Sequence, residues 1–366
     1  MKHTSKYLEW YIHVPKVKYD FRSSGLAYFK HTLNLGEVDL SVNYTHGNPE
    51  TTKVLAERYN VKPENVFVST EGASGQNARI VRCLAEKQES KREAIVEYPT
   101  YEPLLRQVEE YFPRVKRLER KEEEGYCLNA DALKKVVTEK TGLLVLTNPH
   151  APSGAIVDRS TLKEIMEIAG EFGFFVLCDE IYAEFDRKAV PSAFAINSQF
   201  GIVTTSFTKA YGLGGIKLGV ALARNDLVDD FYKDVLNTVG NSSNIAQHIA
   251  KEVLKDNKKL ELHKQKWMRL EKEMEEWLNE KGLQFFPNKV GVTYWVESPI
   301  GDTYKWTNQH AIPHHNVAPV PGTFFLFKNG YEIEESNMIR IGLGNINPDS
   351  EILAEALEAL EQSLKI

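Results

Sequence analysis

Three cysteines in 366 residues, Cys83, Cys127 and Cys178, are too few and too scattered for a disulfide framework or a thiolate metal site. Cys178, inside the apolar run "FFVLCDE", reads as a small core residue. A reducing, cytoplasmic setting is therefore expected. No apolar run approaches the roughly 20 residues that cross a bilayer, so no membrane partner is expected. The opening "MKHTSKYLEWYIHVPKVKYD" lacks an uninterrupted apolar stretch and does not read as a secretory signal. Basic excess is absent too. The formal net charge is −6, which gives no electrostatic case for nucleic acid. Lysine and glutamate are interspersed without a long block of one sign, and no internal repeat or low-complexity segment appears. His314 and His315 are adjacent but have no accompanying ligand pattern, so a loop is expected there and no metal.

What is present is apolar material: 42% of the chain is hydrophobic, ample for a sizeable core and for two domains. Through the middle of the chain two periodicities alternate. "NVFVST", "EAIVEYP", "RVKRLE", "GLLVLTNP", "FFVLCDE", "GIVTTSF" and "IKLGVALA" read as strands. The stretches from about Ala73 to Lys87, "TYEPLLRQVEEY", "NADALKKVVTE" and "DRSTLKEIMEIAGEFG" read as helices. The caps are Asn129 or Asp131 in the third, and Asp158 and Gly173 in the fourth. Strands alternating with helices, several of them wholly apolar, predict a mostly parallel sheet of the doubly wound type, covered on both faces. A long polar-faced helix, about Lys258 to Lys281, then leads into a smaller α+β unit. That unit is built from "GVTYWVES", "VAPVPGTFF", "MIRIGLG" and the helix "DSEILAEALEALEQSL". The expected division is a large domain over 37–257 and a small one from 1–36 with 258–366.

Ligands of such sheets bind beyond the carboxyl ends of the strands. The polar residues there are "STEGASGQN", "YPTYEP", "TNPHAPSG", "DEIY" and "SFTK". Each has a plain alternative. "GASG" opens a helix whose free amides suit an anion, but it matches neither a P-loop nor G-x-G-x-x-G. Tyr101 between prolines is equally a turn aromatic, and Asp179 equally a cap for Ile181 or Tyr182. Lys209 is less easily explained as a solvated lysine. It ends a buried strand and precedes the glycine-dense "AYGLGG", where Gly212, Gly214 and Gly215 permit a tight return and close approach of another group.

The order of these signals resembles the fold-type I pyridoxal-phosphate enzymes, and among them the class I/II aminotransferases, from "LNLGEVDL" to "MIRIGLG". The most specific element is Ser206-x-Thr208-Lys209 with a cation eight residues on, Lys217. The resemblance implies that Lys209 holds pyridoxal 5'-phosphate covalently and later moves a proton. It implies that Ser206, Lys217, Ala73 and Ser74 bind the cofactor phosphate. Asp179 then pairs with the ring nitrogen, Tyr182 donates to the ring oxygen, and Tyr101 stacks on the ring face. Tyr44 resembles the tyrosine that reaches the phosphate of a partner subunit, so a homodimer is implied. Arg340 resembles the arginine that grips the substrate α-carboxylate, and Gly36 the glycine whose backbone lies beside it. The residue types suit these tasks. A buried carboxylate keeps a ring nitrogen protonated, an amine in an apolar or cationic setting loses its proton more easily, and a guanidinium fork matches a carboxylate.

The implied activity moves an amino group between an α-amino acid and a 2-oxo acid. A related lyase or decarboxylase would use the same residues, and a weakly active cofactor-binding protein is the remaining alternative. Two departures from the family pattern bear on that last reading. Ala151-Pro152-Ser153-Gly154 stands where the family has Asn-Pro-Thr-Gly, so the amide donor to the ring oxygen is missing, with Asn148 three residues earlier. Lys217 stands where an arginine is usual, keeping charge but not the fork. A regulator of this family would carry an appended DNA-binding domain, for which there is no room before residue 30. The donor side chain is left open. No arginine occurs between Asn225 and Ala250, and Lys233 is the sole lysine there, so the family's usual aspartate solution is not visible. Another cation would serve aspartate, while Trp10, Tyr11 and Tyr19 would suit an apolar or aromatic donor.

Overall fold

The alternation of apolar runs and amphipathic stretches folds around one central sheet. The computed structural model describes residues 4–28, 31–255, 258–287, 289–328, 330 and 332–365. A two-residue strand, β1 (Tyr19–Asp20), comes first. There follow β2 (Val66–Ser69), β3 (Glu93–Tyr98), β4 (Arg114–Glu119), β5 (Thr141–Thr147), β6 (Phe175–Asp179), β7 (Gly201–Ser206) and β8 (Gly219–Leu222). These last seven form a sheet in the order β2-β8-β7-β6-β5-β3-β4. All neighbours from β7 to β4 pair in parallel; β8 runs antiparallel to both β7 and β2. Side chains of the central strands alternate between two cores, as the pleat dictates. Leu144, Leu146, Val176 and Cys178 enter one, Leu143, Val145, Phe175 and Leu177 the other. Both faces are thus covered, as the wholly apolar runs predict.

The helix signals hold where local chemistry sets them. Asn129 accepts from the amides of Asp131 and Ala132, Asp158 from Thr161, and Gly173 ends its helix in the left-handed region. After the helix Lys258–Glu280, strands β9 (Phe285–Pro287), β10 (Thr293–Glu297), β11 (Val317–Ala318), β12 (Val320–Pro321) and β13 (Met338–Gly342) complete the set. The antiparallel sheet β12-β13-β10-β9 forms the second unit, and β11 pairs in parallel with β1. "VAPVPGTFF" is therefore not one strand. Pro319 and Pro321 carry no amide hydrogen, so the run breaks into two short pieces and a 3-10 turn, Gly322–Phe325. His314 and His315 do not lie in a loop either; they end the helix Ile312–His315. Among the described residues, four helices of eight or more residues carry no sequence expectation: Lys6–His13, Pro49–Tyr59, Asn225–Thr238 and Asn244–Lys255. Among the described residues no helix is long and apolar enough to cross a membrane, and no group of three or more His, Cys, Asp or Glu is arranged to hold a metal.

Candidate active site

The carboxyl ends of β2, β3, β5, β6 and β7 meet at one cavity of about 540 Å³. Because β8 is antiparallel, it contributes from its start, with Lys217. The carboxyl-end crevice is where open α/β sheets bind ligands.

Lys209 follows β7 and reaches the cavity with its amine, which donates to Ser24 Oγ at 3.0 Å. Burial, then the positive charges of Arg340 and Lys217, lower its pKa to about 8, against the opposing pull of Asp179. Near neutrality an appreciable share of this amine is unprotonated and nucleophilic. Gly25 makes the approach possible. A Cβ there would lie 2.9 Å from both the Cα and Cδ of Lys209.

Asp179 ends β6. Burial pushes its carboxyl up to about 6, while bonds from Asn77 and Ile181, and the charge of Lys209, pull the other way. Asn77 Nδ2 donates to Oδ2 at 2.8 Å, and the Ile181 amide to Oδ1 at 3.1 Å. The Thr204 hydroxyl donates to Asn77 Oδ1 at 2.6 Å, which fixes the amide so that its NH₂ faces the carboxylate. The capping of Ile181 and the exposure to the cavity are both real. A buried carboxylate held this way fits a cationic partner, which would restore its ionised form. Tyr182 and Tyr101 line the cavity beside it, and burial holds both phenols in the protonated, donating form.

The helix Gly72–Lys87 opens at the cavity with no side chain capping its first turn. The Gly72 amide bonds to Lys217 O at 2.5 Å, whereas Ala73 and Ser74 line the open space. An uncapped helix start beside a lysine fits a phosphate. Glu71 also lines the cavity, but Arg79 holds its carboxylate in a two-pronged pair at 2.7 and 2.8 Å and so neutralises a charge that would repel an anion.

Arg340, on β13, is only 4% exposed. One Nη donates to Tyr7 OH at 3.3 Å and to the Arg22 carbonyl at 2.5 Å. Its Nε is buried without any hydrogen-bond partner. An orphaned buried donor is costly unless a ligand satisfies it, and a carboxylate does so.

Lys209, Asp179, Tyr182, Tyr101, Ala73, Ser74, Lys217 and Arg340 thus converge. Three expected residues do not reach the cavity. Ser206 is fully buried, with its hydroxyl bonded to Thr208 Oγ1 at 2.6 Å, and Thr208 takes the cavity-facing position. Gly36 is exposed, with φ +59° and no atom within 4 Å of a Cβ built there. The backbone beside Lys209 is instead that of Ser23, Ser24 and Gly25, which sequence reading missed. Tyr44 is half-buried outside the cavity of its own chain. Tyr7 and Phe325 were also missed. The nearest sequence signal was the tyrosine and tryptophan density of the first helix, read through Trp10 and Tyr11 rather than Tyr7.

Ala151 lines the cavity, and neither neighbour replaces an amide there. Asn148 Nδ2 donates to Pro191 O and its Oδ1 accepts from the Val157 amide. His150 is buried and neutral. Its Nε2 faces the Pro99 carbonyl at 3.0 Å, so Nε2 carries the proton and Nδ1 accepts from Ser153.

A structure of a PLP-dependent aminotransferase from Streptococcus suis superposes with a TM-score of 0.83 at 23% identity, over 100% of this chain and 98% of that one. At that identity the likeness speaks to the fold. An aspartate aminotransferase of Pyrococcus horikoshii is 24% identical over 357 residues, 89% of this chain and 85% of its own. A histidinol-phosphate aminotransferase of Methanococcus aeolicus is 26% identical over 183 residues, 50% of this chain and 48% of its own. The first of the curated relatives are thus spanned over about half their length. Residues 32–360 match the family model described as aminotransferase class I and II, and the chain belongs to that family.

Proposed function

We propose that the protein is a pyridoxal-phosphate-dependent aminotransferase that moves an amino group between an α-amino acid and a 2-oxo acid. The observation that carries this reading is one cavity holding a lysine amine with a pKa lowered to about 8 together with an arginine whose Nε is unsatisfied. The donor set fits the cofactor: an amine for its aldehyde, a buried carboxylate for its ring nitrogen, and an uncapped helix start with a lysine for its phosphate. When bound, pyridoxal phosphate supplies an electron sink for the pair released as the substrate α-C–H bond breaks. Lys209 would hold the cofactor aldehyde, and its Nζ is the base that would take up the α-proton. Asp179 would keep the ring nitrogen protonated, Tyr182 would donate to the ring oxygen, and Tyr101 would pack on the ring face. The Ala73 and Ser74 amides, Lys217 and the Thr208 hydroxyl, which Ser206 orients, would hold the phosphate. Arg340 would bind the α-carboxylate in the cavity that holds Lys209. Residues 37–257 form the cofactor-binding domain, and 1–36 with 258–366 the smaller one. The test is a panel of amino donors with 2-oxoglutarate, alongside an absorbance spectrum of the purified protein. Keto-acid formation that depends on 2-oxoglutarate supports the reading; keto-acid formation without it would point to a lyase.

With Ala151 in place, Tyr182 is the side-chain donor this reading assigns to the ring oxygen among the described residues. A donor there stabilises the unprotonated nitrogen of Lys209 in the loaded enzyme. Ala151→Asn is therefore expected to lower the pH midpoint of the visible absorption band by about one to two units, taking about 1.5–3 kcal/mol for a hydrogen bond to a charged group. Superimposed titration curves would show that another donor already acts.

The same reading includes a homodimer with Tyr44 donated to the neighbouring site. Supporting it, Tyr44 lies outside its own cavity, in an irregular segment where Leu40 is 71% exposed. That segment is pinned to the helix Asn244–Lys255 through Asn244 to Asp39 O and His248 to Leu35 O. Sedimentation is expected to find a dimer, and Tyr44→Phe to weaken cofactor retention by roughly 1.5–3 kcal/mol, one hydrogen bond to a charged group. An active monomer would contradict the shared site.

A further inference from the structure

The first helix, Lys6–His13, takes no part in the chemistry above, yet it closes one side of the cavity with Tyr7. Its start is held by Glu102, a fully buried residue that opens the helix Glu102–Tyr111. The Glu102 carboxylate accepts from Ser5 Oγ at 2.8 Å, from the Lys6 amide at 3.1 Å and from the Tyr7 amide at 2.7 Å. Arg106 Nε pairs with the same carboxylate at 2.9 Å. A carboxylate there satisfies otherwise free first-turn amides and meets the positive end of the helix dipole. Three contacts on three consecutive residues fix the rotation of the helix as well as its height.

That rotation carries Tyr7 inward. Its ring centroid lies 5.7 Å from those of Tyr101 and Phe324 and 5.9 Å from that of Phe325. Its hydroxyl accepts from Arg340 at 3.3 Å. The rest of the helix makes two further polar contacts. Trp10 Nε1 donates to Asn308 Oδ1 at 2.8 Å, and Arg22 donates to the Tyr11 carbonyl at 3.1 Å. The cavity wall made by Tyr7, Tyr101 and Phe325 is aromatic. Among the described residues the lysines and arginines that line the cavity are Lys209, Lys217 and Arg340. Each already has a task in the proposed reaction. A second carboxylate on a donor side chain would therefore be desolvated against aromatic rings without a cation of this chain, which is unfavourable.

We infer that Tyr7 is a specificity-determining residue, that Glu102 is its positioning residue, and that the site selects amino donors with an uncharged aromatic side chain over acidic ones. The inference rests on the aminotransferase reading. In the cofactor-loaded enzyme, phenylalanine, alanine and aspartate are compared by kcat/KM and by the change each makes in the cofactor absorbance. Phenylalanine is expected to exceed aspartate by at least about tenfold, the scale of discrimination an apolar pocket supplies. Tyr7→Ala and Glu102→Ala are each expected to lower the phenylalanine-to-alanine ratio about tenfold, mainly through KM for phenylalanine. Tyr7→Phe, which keeps the ring, is expected to keep the ratio. If Glu102→Ala does not fold, Glu102→Gln, which retains an acceptor oxygen, is expected to read between it and the parent. Aspartate equal to or better than phenylalanine overturns the inference and leaves the aminotransferase reading standing. So does an equal loss for all donors in the Tyr7 and Glu102 variants, the mark of a merely structural role. If no amino acid changes the cofactor absorbance, both fail together.

Discussion

Lys209→Ala is expected to abolish transamination and to remove the visible absorption band that shifts with pH. Two losses combine. The covalent hold on the cofactor disappears, and so does the group that moves the α-proton. Removing a positioned proton acceptor alone costs about 10²–10⁴-fold in rate. Substituting another base at the site does not restore both tasks, since only an amine bonds to an aldehyde in this way. The pH dependence of loading follows from the same residue. Burial first, then Arg340 and Lys217, lower the Lys209 pKa to about 8. The neutral amine is the reactive form, so cofactor uptake by the cofactor-free protein is expected to rise about tenfold per pH unit below 8 and to level off above it. Stopped-flow absorbance measures this profile. A rate flat from pH 6 to 9 would mean that the amine is not the attacking group.

Arg340→Ala is expected to reduce kcat/KM by at least about a hundredfold for every amino donor and every 2-oxo acid, since hydrogen bonds to charged groups contribute about 1.5–3 kcal/mol each. The loss is general because the α-carboxylate is common to all substrates. Arg340 lines the cavity, and its Nε has no hydrogen-bond partner within the protein. Arg340→Lys keeps charge without the fork and should recover only part of the loss. Arg340 also depresses the Lys209 pKa, so in Arg340→Ala the uptake profile should move to higher pH. A loss confined to one donor would make Arg340 a side-chain determinant instead. An unmoved profile would remove its electrostatic link to Lys209.

The parts of the fold legible in the sequence were those set by local chemistry. Apolar runs bounded by polar residues gave the strands, and side-chain caps such as Asn129 and Asp158 marked helix starts. The residues gathered at strand ends were legible for the same reason, because the topology brings those ends together. What escaped was set by distant partners. The helix Lys6–His13 is only 8 residues long and is held by Glu102, 97 residues from Ser5. Such a helix has little stability alone, and it buries one residue, Tyr7, while Ile12 is 73% exposed. Gly25 rather than Gly36 packs beside Lys209 because the chain from Ser23 to Ala27 runs between Lys209 and Gly344. The Leu26 amide bonds to Lys209 O at 2.9 Å and the Ala27 amide to Gly344 O at 3.0 Å. Nothing local to either glycine distinguishes them. Ser206 was read by motif, and its hydroxyl turned out to be oriented by Thr208 two residues on.

The central claim is that Lys209 is the residue that holds the cofactor. Borohydride reduction of the protein loaded with pyridoxal phosphate, followed by protease digestion and peptide mass spectrometry, reads the attachment point directly. The predicted result is one pyridoxyl-phosphate group per chain, on the peptide that contains Lys209. A label on Lys217 or any other lysine with Lys209 unmodified, or no label on protein that has taken up the cofactor, would contradict it.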